Sequence, residues 1–493
     1  VGTSYRERAL LAAFLQEYNA GLGAARAALD AAARLGETGT VAVVAGQQPG
    51  LFTGPLYTVH KAAACVALSR RLEEQGIPAV PVFWLASEDH DWDEVNHVYA
   101  LDASYQLLRL EAKLGRQGTP PSFSLPLPDN RDELIQALIS CAPGTGYTSE
   151  IEEALRQTSA TGGFSQWCAR LLSWMFSPAG LVIYDPGQPQ ARALAYPVMR
   201  RAVLRREEVA EEFARGSLSL AGMGYPLQVE KAPTSTHLFY LHQGSRVALH
   251  RASSTLVSRS GEVALSQEQL LTCLEQDPGV LSPDVVLRPV VQSAVLPTLA
   301  VVAGPGELGY YAQLREVLAG FDHPLPALWA RAPLTLVDAA VNRYGERLGL
   351  PAAALVDRGL LEQARAARRE VRGGAQLRQA FSRLKDTVSA AYAELEAALG
   401  DEEPGYGQLV DGNRGRVLEQ IAWLEQKTGT TWEKRDEVEG RQWYRVEQAC
   451  YPRGLPQERV LNPFPFFMRY GRTWLEELCQ ELLDPTHHHL IYL

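Results

Sequence analysis

Cysteine is scarce and scattered. The 493 residues hold six, Cys65, Cys141, Cys168, Cys273, Cys450 and Cys479, and no CxxC pair. That spacing speaks against a zinc knuckle or a dense disulfide framework and for reduced thiols in a cytosolic protein. Cys65 falls in a predicted helix and reads as a small buried hydrophobe rather than a nucleophile. Long apolar runs are also missing. None reaches the roughly 18–20 residues that span a bilayer, and the opening Val1-Gly2-Thr3-Ser4-Tyr5-Arg6-Glu7-Arg8 has neither an initiating Met nor the look of a signal peptide. Basic residues are in deficit, 47 Lys and Arg against 57 Asp and Glu, for a net charge of −10. This disfavours a nucleic-acid binder driven by bulk charge. What remains is ordinary globular composition, 46% hydrophobic and 21% charged, in a chain long enough for one large domain or two to four smaller ones.

The chain is organised around Val41 to His97. Val41-Ala42-Val43-Val44-Ala45 has the length and branching of a buried strand. A glycine-rich turn follows, Gly46 to Pro55, then a helical stretch from Leu56 to Glu74. The run Val80-Pro81-Val82-Phe83-Trp84-Leu85-Ala86 is the next strand and ends in a polar burst from Ser87 to His97. This is a βαβ unit, and both polar loops leave the carboxyl ends of its strands, where open α/β sheets bind ligands.

Elsewhere the spacing predicts a helix over residues 5–36, with Leu10, Leu11, Phe14, Leu15, Tyr18, Leu22 and Ala25 on its apolar face. Short strands and loops follow over 98–130. Helices over 131–178 break at Pro143-Gly144 and Gly162-Gly163. A strand is expected at 181–186 and a helix from Pro189 to Arg215 that stops at Gly216. Residues 222–257 read as a small β insertion with strands at 226–229, 237–241 and 246–250. A helical piece covers 266–275, and Leu299 to Ala303 is another buried strand. From 350 the composition turns to Ala, Leu, Glu and Arg. Leu377, Phe381, Leu384, Val388, Ala391, Leu395 and Ala398 mark a heptad seam. After a break over Gly400–Gly412, a second helix carries Val417, Ile421 and Leu424, suggesting an antiparallel hairpin. The expected division is a Rossmann-like core over 1–340 with insertions at about 100–178 and 215–285, a helical coiled-coil domain over 341–445, and a tail, 446–493, packed back on the core.

Three loops carry candidate chemistry. In the first, Gly46, Gly50 and Gly54 allow close backbone approach before a helix N-terminus that favours anions. Gln47, Gln48 and Thr53 offer hydrogen bonds, and Lys61 lies about two turns into the helix. No Gly-Lys-Ser/Thr follows, so this is not a Walker loop. The second loop gathers Glu88, Asp89, Asp91, Asp93 and Glu94 around His90, with Asn96 and His97 beyond. Such crowding has no place in a core. It suits a divalent metal, binding or deprotonation of an amine, ribose binding, or a solvated loop; no metal site is assigned. The third, Gly304-Pro305-Gly306-Glu307-Leu308-Gly309, spells the dinucleotide fingerprint G-x-G-x-x-G, with Asp322 near the distance of a ribose carboxylate. Pro305 is foreign to that motif, and a turn lining the same pocket, with Tyr310, is the favoured reading. Arg288 and Gln292 precede this strand, and Arg288 suits either a carboxylate or phosphate clamp or a structural salt bridge. Gln457-Glu458-Arg459 with Asn462-Pro463 form a polar knot that reads as docking the tail, with a contribution to a ligand pocket as the second reading.

Together these residues carry a resemblance. Gly46-Gln47-Gln48-Pro49-Gly50-Leu51-Phe52-Thr53-Gly54-Pro55-Leu56-Tyr57 and Pro81-Val82-Phe83-Trp84-Leu85-Ala86-Ser87-Glu88-Asp89-His90-Asp91 resemble the bacillithiol biosynthesis cysteine-adding enzyme family, BshC. So do Leu287-Arg288-Pro289, Gly304-Pro305-Gly306-Glu307, Gln457-Glu458-Arg459 with Leu461-Asn462, and the ending Leu490-Ile491-Tyr492-Leu493. The resemblance implies a cytoplasmic bacterial ligase joining the carboxyl of cysteine to the free amine of glucosaminyl-malate, the last step of bacillithiol synthesis. It implies a Rossmann core with connecting-peptide insertions, related to nucleotidyltransferases and class I aminoacyl-tRNA synthetases, and a coiled coil that makes a homodimer. It brings no nucleic-acid or membrane partner. Amide formation needs an activated carboxylate, for which ATP or another nucleotide, with Mg, is the expected cofactor. On this reading the 46–55 loop holds the nucleotide or activated carboxylate, one of Glu88, Asp89, His90 and Asp91 binds or deprotonates the amine, and Arg288 steadies an anion. The chain departs from class I synthetases in having neither His-Ile-Gly-His nor Lys-Met-Ser-Lys-Ser. Thr53-Gly54-Pro55-Leu56 stands near the first position without a histidine, so the activation route stays open. Two rivals remain, an NAD-linked oxidoreductase built on 304–309 and a non-catalytic assembly factor acting through the coiled coil.

Overall fold

A computed structural model describes residues 5–115, 118–142, 144–253, 255–371, 375–399 and 404–493. It divides into two units, one holding Val1–Thr335 with Gln457–Ile491 and the other Leu336–Pro456.

The first unit is built on five parallel strands, β1 (Val41–Gln47), β2 (Ala79–Leu85), β3 (Val182–Tyr184), β4 (Thr298–Ala303) and β5 (Ala327–Ala330). Their spatial order is β5-β4-β1-β2-β3. The register pairs Val44 with Val82 on one side and with Val301 on the other. Helices cover both faces, so the strands are apolar almost throughout, and all seven residues of β2 are buried. The helix Leu56–Glu74 makes the β1-to-β2 crossover. Its Cys65 thiol is bonded to the Val43 carbonyl at 3.1 Å and pushed by burial up to about 12, so it stays protonated and inert. All six cysteines are free. The strand order reverses between β1 and β4. Chain following β1 builds outward on one side and β4 and β5 build on the other, and a crevice opens at that switch point.

Several expected helices are divided. Residues 5–36 form Tyr5–Gly21 and Arg26–Arg34, broken where Gly23 takes a φ of +76°, and Leu10 faces solvent. The 189–215 helix breaks at Arg205 instead, into Pro189–Leu204 and Arg206–Gly222, and runs through Gly216. That glycine does not end the helix. A Cβ there would sit 2.2 Å from the Gln313 carbonyl oxygen, so it permits close packing of two backbones. Over 131–178 the helices are Arg131–Ser140, Thr148–Thr158 and Phe164–Phe176. The break at Gly162-Gly163 is present, while Pro143 lies outside the described residues.

The second insertion is a five-stranded antiparallel sheet, in spatial order Leu281–Pro283, Ser235–His242, Ser245–Ala252, Thr255–Ser258 and Ala264–Ser266. Residues 226–229 are not one of its strands. The Gln313 side chain binds them instead, taking the backbone N–H of Val229 at 3.1 Å and donating to its carbonyl at 2.9 Å.

In the second unit Ala375–Leu399 and Pro404–Cys450 form an antiparallel helical hairpin. Lys385 pairs with Glu425, Tyr392 Oη meets Asn413 Oδ1 at 2.5 Å, and Arg414 lies 3.8 Å from Glu396. The expected break is far shorter than Gly400–Gly412. Residues 400–403 lie outside the described residues, and helix already runs from Pro404 through Gly407 and Gly412. Phe381 of the heptad seam is buried, but Leu384 and Leu395 are 43% and 47% exposed. One partner helix covers only part of a seam, which leaves the rest bare. No helix among the described residues is long and apolar enough to cross a membrane.

Candidate functional site

The loops after β1, β2 and β4 meet at the switch point and line a cavity of about 720 Å³. Loop residues 46–48 form one wall, 88–90 a second and 304–307 a third, with Tyr57, Lys61, Arg288, Tyr310, Arg331 and Arg459 around them. The antiparallel insertion supplies the remaining side through Phe239, Arg246, Pro283 and Asp284.

Lys61 ties two of the loops together. Its Nζ lies 2.5 Å from Glu307 Oε2 and donates to Gly46 O at 3.0 Å and Gln47 Oε1 at 3.1 Å. Glu307 Oε2 also accepts the Gly304 N–H at 2.8 Å. Burial pushes the Lys61 ammonium down, with Glu307 opposing. A lysine so engaged fixes the crevice walls rather than standing ready as a free cation.

The two carboxylates after β2 have opposite characters. Burial drives Glu88 up from 4.5 to about 7, against the pull of Arg246 and Arg192. Asp89 is shifted down. Burial alone would raise it, but Gln48 Nε2 donates to Oδ2 at 2.7 Å, the His90 N–H to Oδ1 at 2.7 Å, and Arg246 lies 3.8 Å away. A pair of acids split in this way is how one site holds both a proton acceptor near neutrality and a fixed negative charge.

The cations divide into paired and unpaired. Arg331 forms a two-pronged contact with Glu458, 2.5 Å on each side. Lys231 lies 2.9 Å from Asp284, which His237 Nδ1 also approaches at 3.1 Å. Arg288 is bonded to the Tyr310 hydroxyl and, among the described residues, has no carboxylate within ion-pair distance. Arg459 is exposed and makes neither an ion pair nor a hydrogen bond among the described residues. Two cations without counter-ions facing one cavity suit an anionic ligand.

Of the residues singled out from sequence, Gly46, Gln47, Gln48, Lys61, Glu88, Asp89, His90, Arg288, Gly304, Gly306, Glu307 and Tyr310 line this cavity. Gly50, Thr53, Gly54, Asp91, Asn96 and Gln292 do not. Residues 50–54 turn away from the crevice as a tight buried turn in which Phe52 takes a φ of 46° and packs edge-on to Trp167 at 5.2 Å. Asn462 of the tail clamps that turn, donating to Phe52 O at 2.9 Å and Gly54 O at 2.8 Å. Asp91 is exposed. Asn96 is buried against His97 with Oδ1 and Nδ1 2.9 Å apart, and Gln292 is buried in its helix beneath the site. Sequence reasoning passed over Tyr57, Lys231, Arg246, Asp284 and Arg331. Arg331 follows the partly exposed strand Ala327–Ala330 and Arg246 lies 156 positions from His90, so neither carried a local signal.

The G-x-G-x-x-G stretch lines the cavity, as its favoured reading has it. Helix begins at Pro305, inside the motif, and Gly304 has φ −76° and ψ 170°, an extended conformation that does not require glycine. Asp322 is not at the cavity; it pairs with Arg201 at 2.8 Å.

A parallel Rossmann-like sheet with a crevice at its switch point, an antiparallel insertion and a helical hairpin define a Rossmann-like protein with a coiled-coil domain. The family models agree unit by unit. The BshC N-terminal Rossmann-like domain of bacillithiol biosynthesis matches residues 2–332, and the BshC C-terminal coiled-coil domain matches 334–493. Among relatives, the protein of Heliobacterium modesticaldum is 34% identical over 95% of this chain and 86% of its own length. That of Symbiobacterium thermophilum is 34% identical over 99% and 90%, and that of Geobacillus thermodenitrificans 32% over 98% and 90%. Each is named "Putative cysteine ligase BshC". The chain belongs to the BshC family of bacillithiol biosynthesis.

Proposed function

We propose that this chain is a ligase that joins the carboxyl group of cysteine to the free amine of glucosaminyl-malate. Amide formation from these partners makes two demands. The amine arrives as an ammonium and must lose a proton, and an anionic substrate or activating group must be held. The observation that carries the proposal is the placement of Glu88, with a carboxyl brought to about 7, in the same cavity as Arg288, which among the described residues has no carboxylate within ion-pair distance. Glu88 takes the proton from the amine, Asp89 stays ionised to hold the ammonium before that transfer, and Arg288 and Arg459 hold the anion.

ATP is the activating nucleotide of this proposal. Arg288 and Arg459 would bear its phosphates, and its chemistry would be to give the cysteine carboxyl a good leaving group. Among the described residues no group of three His, Cys, Asp or Glu is placed to hold a metal, so Mg is assigned to the nucleotide rather than to protein ligands.

The test is mass spectrometry of products from cysteine, glucosaminyl-malate, ATP and Mg, with the unaltered protein and with Arg288→Ala. Bacillithiol is expected from the former, with AMP or ADP released. The variant should need roughly 10–100-fold more of the anionic substrate it has lost hold of, the worth of one charge-assisted contact. No product from folded, unaltered protein would overturn the proposal.

The proposal extends to assembly. Leu384, Leu395, Leu409, Trp423 and Leu424 of the helical unit are 43–68% exposed, and a second copy of the same hairpin is the partner that fits an unfinished heptad seam. Light scattering should give twice the mass of one chain, and Leu395→Glu with Trp423→Glu should return it to one. A monomeric unaltered protein would end this part of the reading.

A further inference from the structure

We propose that Arg246 is a positioning residue for this reaction: from the antiparallel insertion it donates to Nδ1 of His90, fixing that imidazole with its proton on Nε2, so that His90 acts as a hydrogen-bond donor to the substrate and not as its base. The chemical part of this inference rests on the ligase reading; the tautomer does not.

The direction of the contact follows from the groups. An arginine side chain carries five N–H donors, no acceptor, and does not lose its proton in proteins. Its Nη1 lies 3.1 Å from His90 Nδ1, so Nδ1 must be the acceptor. That leaves Nε2 as the proton-bearing nitrogen of a ring that lines the cavity. Arg246 is held independently of His90. Its Nε donates to Ser282 Oγ at 2.9 Å, Nη2 donates to the Pro283 carbonyl at 2.6 Å, and its Cζ stacks 3.8 Å over the Phe239 ring. Phe239 also meets the His90 ring edge-on at 5.5 Å. The guanidinium is thus a fixed reference against which the imidazole is set.

The neighbouring carboxylate does not supply the alternative. In a histidine base, a carboxylate accepts from Nδ1–H and leaves Nε2 free to take a proton. Here Asp89 Oδ1 stands 3.7 Å from Nδ1, and the Asp89 oxygens are already engaged by Gln48 and by the His90 backbone N–H. A cation occupies the position that a carboxylate holds in a base, and the polarity of the imidazole is reversed. The consequence is a division of labour. When the amine nitrogen bonds to the acyl carbon of the activated cysteine, the carbonyl π pair moves onto the acyl oxygen, which gains negative charge until the pair returns and the activating phosphate group leaves with its C–O bond pair. A neutral imidazole with its proton on Nε2 can donate to that oxygen, while the proton shed by the amine goes to a carboxylate of the same loop. The β insertion, which looks like an appendage in sequence, then becomes part of the reacting centre.

The test uses the full chain labelled with 15N-histidine. Long-range 1H–15N correlations report which ring nitrogen carries the proton, and the His90 signals are those lost in His90→Gln. The unaltered protein should show Nε2–H with an unprotonated Nδ1. Arg246→Met, which keeps length but removes the donors, should release the ring into a mixture of both tautomers. It should lower kcat by about 10²-fold, with the KM of each substrate changed by no more than about threefold. Arg246→Lys, which keeps a donor and the charge, should restore part of both. A proton on Nδ1 of His90 in the unaltered protein, or a tautomer ratio unmoved by Arg246→Met, would overturn the inference. The measurement on the unaltered protein needs no substrate and no variant. It therefore decides the tautomer even if the protein makes no amide, an outcome that would instead remove the ligase reading.

Discussion

Glu88→Gln should sharply slow amide formation and at the same time make the protein more stable above neutral pH. Burial raises the Glu88 carboxyl from 4.5 to about 7. Between those values the folded protein holds a proton that the unfolded chain has released. Stability therefore falls as pH rises from about 4.5 to about 7, and the deficit is constant above that. Its full size is roughly 3 kcal/mol, the shift converted at about 1.4 kcal/mol per pH unit. Glutamine has the same shape and no charge to bury, so the gain of the variant should be near zero at pH 4.5 and complete by pH 8. Denaturant midpoints at the two pH values measure it; a variant less stable than the unaltered protein at pH 8 would sink the idea that this charge is held at a cost. The loss of activity should be about 10²–10⁴-fold, the usual worth of a general base. For the unaltered protein, log kcat/KM should fall with unit slope below about pH 7. A group that is costly to the fold and lines a cavity is the pattern expected where activity, rather than stability, has set the residue.

The second large effect is structural. Glu458→Gln should cost about 3–5 kcal/mol, because it leaves a buried guanidinium without its counter-ion. Glu458 is buried and receives Arg331 on both oxygens, His60 Nδ1 at 3.3 Å and the Leu334 N–H at 3.3 Å. Burial alone would raise its carboxyl, but the His60 and Arg331 contacts hold it well below the usual carboxylate range. His60 itself is pushed down by burial, with Glu458 opposing, so it donates as a neutral ring. The sign of the linkage follows. A depressed carboxyl contributes stability that is present above its unfolded value of about 4.5 and lost as pH falls toward its folded value. Urea unfolding should show the penalty of Glu458→Gln in full at pH 7 and reduced at pH 3; equal penalties at both would mean that packing, not charge, is what Glu458 supplies. Arg331 lines the cavity, so the same variant should also lower activity by loosening one wall of the site.

The contrast between these residues shows where sequence reasoning reached and where it stopped. Local chain chemistry made the βαβ unit legible. A run of Val and Ala, a glycine turn, an apolar helix and a second apolar run can satisfy their backbone groups in few ways, and the observed β1, helix and β2 follow them closely. The acidic burst at 87–97 was legible as a loop at a strand end, and the structure sets Glu88 and Asp89 half-buried against the crevice while Asp91, Asp93 and Glu94 are exposed. Local chemistry could not tell that the 46–55 loop divides in two. Residues 46–48 face the cavity, while 50–54 fold under it because Asn462, some 410 positions later, clamps the turn. Nor could it tell that Asp322, spaced as a ribose carboxylate would be, pairs with Arg201 away from the cavity. Gly216 looked like a helix stop and is a point of backbone contact, a distinction that exists only once the segment around Gln313 is in place.

The sequence by itself therefore determined the class of fold, the position of the crevice at the strand ends, and the acidic loop that borders it. These depend on burial periodicity and on charge, which act over a few residues at a time. Tertiary structure decided which groups stand free and which are taken. Lys61 is bound to Glu307 and Arg331 to Glu458, while Arg288 has no carboxylate partner among the described residues. It also turned Glu88 and Asp89, adjacent and alike in sequence, into acids of opposite character. The physical reason is that desolvation and Coulomb interaction are set by neighbours in space, and at this site several of those neighbours, Arg246 beside Asp89 and Glu307 beside Lys61 among them, lie more than a hundred residues away along the chain.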